Sequence, residues 1–107
     1  MINKVVTSFD AAVADIPDGA TVMIGGFGAM DRPFGLIRAL RKRGARNLTV
    51  IANSPGTGGQ QAMEWWGLTQ YVDANLLVEN GQVRKFISSI SFPGTPAEKA
   101  FLAGQLE

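Results

Sequence analysis

The sequence predicts an α/β fold on an open, mostly parallel sheet with flanking helices, and three observations carry that expectation. Residues Thr21-Val22-Met23-Ile24 form a short apolar run behind an Asp18-Gly19 turn, and they lead directly into Gly25, Gly26 and Gly28. A buried strand reads this way, and the glycines let another group approach the backbone where the strand ends. A helical pattern and a second strand pattern follow, so the unit is strand, loop, helix, strand, for which a parallel right-handed crossover is the default. A second glycine-rich loop, residues 53–61, then falls at the same sheet edge as the first. Open α/β sheets place their ligands at that edge.

The elements follow in order. Thr7 is the expected N-cap of a short first helix, with Asp10 in the capping-box position and Phe9, Ala12, Val13 and Ile16 at helical spacing until Pro17-Asp18-Gly19 stops it. The first strand spans 20–25. A helix beginning near Pro33 carries Leu36, Ile37 and Leu40 on one face and a basic end, with Gly44 where a left-handed C-cap belongs. The second strand is 47–52. Residues 62–78 read as mostly helical, with Trp65, Leu68, Val72 and Leu76 on one face. Asn80-Gly81 is a turn, and Val83 to Ile90 is a third strand. Thr95-Pro96-Ala97-Glu98 opens a last helix with N-cap, first-turn proline and capping glutamate, and Gly104 ends it. The alternation after Gly104 is poised for another strand, so the sheet reads as incomplete.

Composition narrows the chemistry. A chain of 107 residues has room for one domain, and 46% apolar with 18% charged residues is ordinary for a globular protein. Net charge +1 gives no case for nucleic acid or an acidic membrane surface. The basic run Arg38, Arg41, Lys42, Arg43 and Arg46 reads as a solvated helix end complementing the macrodipole. No cysteine means no disulfide, thiolate zinc site or thiol nucleophile, and no histidine removes imidazole proton transfer and the commonest metal ligand. No metal site is expected. With no signal-peptide pattern and no membrane-length apolar run, a cytoplasmic protein is the expectation.

Gly26 and Gly28 match the first two glycines of a dinucleotide fingerprint, but Asp31 holds the third position. The neutral Asn53 stands where an acidic ribose ligand belongs, and a carboxylate beside a pyrophosphate would repel it. Dinucleotide binding is therefore the weaker reading.

A resemblance is more specific. Asp18-Gly19, two spacer residues, three apolar residues, Gly25-Gly26-Phe27 and then Pro33 strongly resemble the alpha-subunit (A-type) signature of family I CoA-transferases, the 3-oxoacid and 3-oxoadipate enzymes. Leu36 to Leu40, Leu48 to Asn53, Gly81 to Lys85 and Leu102 to Glu107 look like family segments in the family's order. On this likeness residues 1–107 form one domain similar to the N-terminal part of the alpha subunit, with a Rossmann-like three-layer architecture. Asp31 stands where the family has glycine, and residues 59–78, with Trp65-Trp66, depart most. The aromatic pair reads as core packing before an altered acid site.

The resemblance implies ping-pong CoA transfer from a donor such as succinyl-CoA through a glutamyl-CoA intermediate. The nucleophilic glutamate is expected on a second, B-type partner subunit, with none in this chain. Glu79-Asn80-Gly81 imitates the nucleophile's context, but Val78 precedes it and a turn explains it. Coenzyme A enters as substrate rather than as a resident cofactor. Gly25, Gly26, Phe27 and Gly28 are expected to let backbone approach substrate or partner, Asn53 to donate an amide hydrogen bond, and Ser54 a hydroxyl one. Arg32, Trp65 and Trp66 are candidates for acid preference. The chain alone is expected to be inactive, because a family glutamine that helps form the oxyanion hole lies beyond the matched segments. A non-catalytic module that docks on a partner is the competing reading.

Overall fold

The computed structural model describes residues 1–28, 30–57, 64, 67 and 72–107. Among the described residues the elements follow in the order α1 (Phe9–Val13), β1 (Thr21–Ile24), α2 (Phe34–Arg43), β2 (Leu48–Ala52), α3 (Asn75–Glu79), β3 (Val83–Ile87) and α4 (Pro96–Leu102). The sheet has the order β1-β2-β3 and is wholly parallel, with Val22 opposite Val50 and Val50 opposite Phe86. An irregularity between Leu48 and Thr49 shifts the β2–β3 register. Beyond β3, Glu107 donates its N–H to the Arg84 carbonyl, and its own carbonyl accepts from the Phe86 N–H, the hydrogen-bond pattern of a parallel neighbour. Lys85 Nζ meets the Glu107 carboxylate at 2.6 Å, and this hydrogen bond holds the carboxyl below its usual range.

Strands that progress across a sheet in one direction, joined by right-handed crossovers, put their helices on one face. The burial pattern agrees. Leu48 and Val50 are 0% exposed, and Ala52 and Ile24 share their core with Val13 of α1, Ile37 and Leu40 of α2, Leu77 of α3 and Ala97 of α4. The alternate residues are open: Met23 is 78% exposed, and Ile87 on β3 is also exposed. Among the described residues, then, the helices make one layer over one sheet face.

The local signals worked where the cap chemistry was explicit. Gly44 takes φ 77° and its N–H bonds the Leu40 carbonyl, closing α2. Arg41, Lys42 and Arg43 occupy its last turn, with Lys42 2.8 Å from Asp10 and Arg43 Nε bonding the Ile16 carbonyl. Thr95 caps α4 by accepting from the Glu98 N–H, with Pro96 at the first helical position. The Glu98 side chain reaches back one residue further than a capping box, to the Gly94 N–H at 2.6 Å.

Other expectations need correction. The N-cap of α1 is Ser8, not Thr7: Ser8 is extended at φ −157° and its Oγ accepts from Ala11, while Asp10 pairs with Lys42. On α2 the buried residues are Ile37, Ala39 and Leu40, while Leu36 is exposed. Strand β3 stops at Ile87, because the Ser89 and Ile90 N–H groups turn to the Asn53 carbonyl. Part of the expected helix over 62–78 lies outside the described residues, and where the chain is described the expectation fails at Val72, Asp73 and Ala74, which are not helical and precede α3. No helix among the described residues is long and apolar enough to cross a membrane.

Candidate functional site

The described parts of both loops, residues 25–28, 30–32 and 53–57, lie at the carboxyl edge of the sheet, and the backbone of each is fixed by its own contacts. After β1, Phe27 and Met30 exchange hydrogen bonds, Phe27 N–H to Met30 O at 3.0 Å and Met30 N–H to Phe27 O at 2.8 Å. Gly26 at φ 107° lies under this turn, where a Cβ would meet Arg32 Cδ at 2.7 Å and the Met30 carbonyl at 2.8 Å. That glycine is needed for the loop to close on itself. Gly25 is different: a Cβ there would meet nothing within 4 Å, and the Phe27 ring is exposed. The approachable part of the loop is therefore Gly25 and Phe27.

Asp31, the residue in place of a family glycine, has φ 54°. It adopts the left-handed conformation a glycine would take, and aspartate is among the few side chains that do so readily. The substitution thus leaves the loop shape intact. Asp31→Gly is expected to change stability by less than about 0.5 kcal/mol, whereas Asp31→Val should lose about 1–2 kcal/mol because a branched Cβ crowds the following carbonyl. Equal denaturation midpoints for the two variants would refute this account.

After β2 the chain is held from three sides. The Asn53 carbonyl accepts from Ser89 at 3.1 Å and Ile90 at 3.2 Å. Ser54 Oγ accepts from the Gly56 N–H at 3.2 Å. The Asn75 carboxamide donates to the Pro55 carbonyl at 3.3 Å, and its oxygen accepts from the Ala97 N–H at the start of α4. Asp73, also buried, accepts from the Asn75 N–H just ahead of α3 and lies against Gly56.

Arg32 crosses between the loops. It is 4% exposed. Its Nε donates to the Gly28 carbonyl at 3.0 Å, and Nη1 and Nη2 donate to the Ser54 carbonyl and Oγ at 3.2 and 3.0 Å. Burial pulls the guanidinium below its ordinary pKa and the Asp73 carboxylate pushes it back up. An arginine remains charged under such opposing influences.

The structure therefore sorts the expected site residues. Gly25, Gly28 and Phe27 share the first loop, and Asn53 heads the second. Asn53 is half-buried, and its carboxamide makes no hydrogen bond among the described residues. Ser54 is 0% exposed, and its hydroxyl oxygen braces the loop by accepting from Arg32 Nη2 and the Gly56 N–H; neither contact uses the O–H donor expected of it. Arg32 is likewise too buried to choose among acids. Trp65 and Trp66 lie outside the described residues. Glu79 ends α3 where the strands begin, across the length of the sheet from the glycine loops, which removes it as a nucleophile. Asp73 and Asn75 carried no signal in the sequence, since their partners are remote. No cluster of three or more His, Cys, Asp or Glu side chains suits a metal among the described residues.

Approachable backbone after β1 and a half-buried amide side chain after β2 are groups whose N–H can donate to a carbonyl oxygen or a carboxylate. The family model for coenzyme A transferase matches residues 6–107. The chain belongs to the coenzyme A transferase family. It is 36% identical over 106 residues to the A-type subunit of a probable succinyl-CoA:3-ketoacid coenzyme A transferase of Bacillus subtilis, covering 99% of this chain and 40% of that protein. It is 50% identical over 58 residues to the A-type subunit of a 3-oxoadipate CoA-transferase of Pseudomonas putida, covering 54% of this chain and 25% of that one. Among solved structures, a variant of the decarboxylase AibA/AibB superposes with a TM-score of 0.66 at 26% identity, over 94% of this chain and 36% of that chain. The chain thus spans about two fifths or less of the length of these relatives.

Proposed function

We propose that this chain supplies one wall of a CoA-transferase site, in the manner of an alpha subunit, and that a B-type partner supplies the nucleophilic glutamate. The observation that carries the reading is the register of β1 and β2, which ends at Ile24 and Ala52 and brings the approachable Gly25 and the half-buried Asn53 to one sheet edge, in a chain of this family. In the proposed reaction the partner carboxylate attacks an acyl-CoA thioester, forming an acyl-glutamyl anhydride and releasing CoA thiolate. The thiolate attacks the glutamyl carbonyl, expelling the first acid and leaving a glutamyl-CoA thioester. The incoming 3-oxo acid, acetoacetate or 3-oxoadipate, reverses these steps. Each tetrahedral oxyanion needs fixed donors, and Asn53 offers one.

Tagged chain drawn from its source lysate should recover a partner carrying a Ser-Glu-Asn-Gly segment. The pair should transfer CoA from succinyl-CoA to a 3-oxo acid, and the chain alone should not. In the pair, Asn53→Ala should lower kcat about a hundredfold, the usual cost of one oxyanion donor. Undiminished kcat would remove Asn53 from the site. A second reading, a chain of this fold that joins a partner for chemistry other than CoA transfer, draws support from the decarboxylase relative. A recovered partner without transfer would favour it.

A further inference from the structure

We propose that Arg32 is the positioning residue of this site: one buried guanidinium that fixes the first glycine loop against the second. Three observations converge on it. All three guanidinium nitrogens donate to loop backbone or to Ser54, one to Gly28 in the first loop and two to Ser54 in the second. The side-chain stem passes so close to Gly26 that only glycine leaves room for it. Strand β1 pairs β2 only up to Ile24 and Ala52, so beyond those residues the loop spacing has no sheet ladder to set it.

The planar fork is what the role needs. It reaches a carbonyl and a hydroxyl of the same residue at once, and that hydroxyl in turn accepts from the Gly56 N–H. A lysine would keep the charge but, as a compact point donor, could not span these acceptors in fixed geometry. Arg32 thus acts through Ser54 on the loop that Asn53 heads. It does not touch substrate.

The test is amide hydrogen exchange on the full chain, wild type against Arg32→Lys. Opening of the second loop should raise exchange at Gly56 by about tenfold or more, while Val50 in β2 changes less than about twofold. Unchanged exchange at Gly56 would overturn the proposal, and so would a rise shared equally by Gly56 and Val50, which would make Arg32 a general stabiliser. Should Arg32→Lys fail to fold, Arg32→Gln, which leaves the Ser54 acceptor of the Gly56 N–H in place, must give the same localised pattern. The consequence for catalysis rests on the transferase reading. In the pair with the glutamate-bearing partner, Arg32→Lys should lower kcat about tenfold with KM for the acyl-CoA little changed, since a displaced donor costs transition-state stabilisation. A raised KM at constant kcat would overturn the positioning role. If the wild-type pair shows no transfer, the transferase reading fails while the exchange result still decides the role of Arg32.

Discussion

Gly56→Ala is expected to cost about 3–5 kcal/mol, enough to unfold a domain of ordinary marginal stability. Two penalties coincide there. Gly56 takes φ 113°, a backbone conformation closed to L side chains, and an added Cβ would fall within the Asp73 side chain. Asp73 cannot step aside, because it is buried and its Oδ1 accepts from the Asn75 N–H at 2.9 Å. Gly81→Ala separates the two penalties. Gly81 has φ 67°, but the nearest atom to an added Cβ is Arg46 Nη1 at 3.8 Å, so only backbone strain of about 1 kcal/mol is expected. Thermal unfolding of both variants is the measurement. Similar Tm losses would show that Asp73 yields and that the second loop is softer than its contacts imply.

Gln82→Leu is expected to lose about 2–4 kcal/mol although it places an apolar residue in a fully buried position. The Gln82 carboxamide donates to the Leu40 and Ala45 carbonyls, each at 3.0 Å, and its oxygen accepts from Asn80 Nδ2 at 2.9 Å. It therefore joins the end of α2, the turn before β2 and the end of α3. Leucine has comparable bulk but leaves the buried Ala45 carbonyl without that donor, and unmade buried hydrogen bonds cost about 1–3 kcal/mol each. Urea denaturation decides the matter. A variant as stable as wild type would mean that water enters and replaces the amide.

Much of the fold was legible because its signals are local. Gly44, Thr95-Pro96 and the alternation in Leu48-Thr49-Val50-Ile51-Ala52 each specify their element within a few residues of chain. The exchange of Thr7 for Ser8 as N-cap shows the limit: two neighbouring hydroxyl residues satisfy the same rule, and only the extended backbone at Ser8 separates them. The loops that form the candidate site were legible in their glycines and in Asn53, since strand ends and tight turns leave residue-type signatures. Its frame was not. Arg32 and Ser54 are 22 residues apart, as are Asn75 and Ala97, and Gln82 lies 42 from Leu40. A polar residue whose partner is that remote looks the same in sequence as one in water. Burial then inverts the reading, so that an arginine expected to meet an acid substrate serves the chain itself.

The Asn75 carboxamide, which holds the second loop with its nitrogen and the first turn of α4 with its oxygen, has a consequence for how this protein tolerates change over generations. Substitutions near Ala97 and substitutions near Gly56 are not independent events, although the two lie far apart in the chain. A mutation that shifts either end alters the background in which the other is selected, because one amide plane serves both. Double variants across this pair should therefore depart from the sum of their single effects, whereas pairs joining either end to Phe9 on α1 should add.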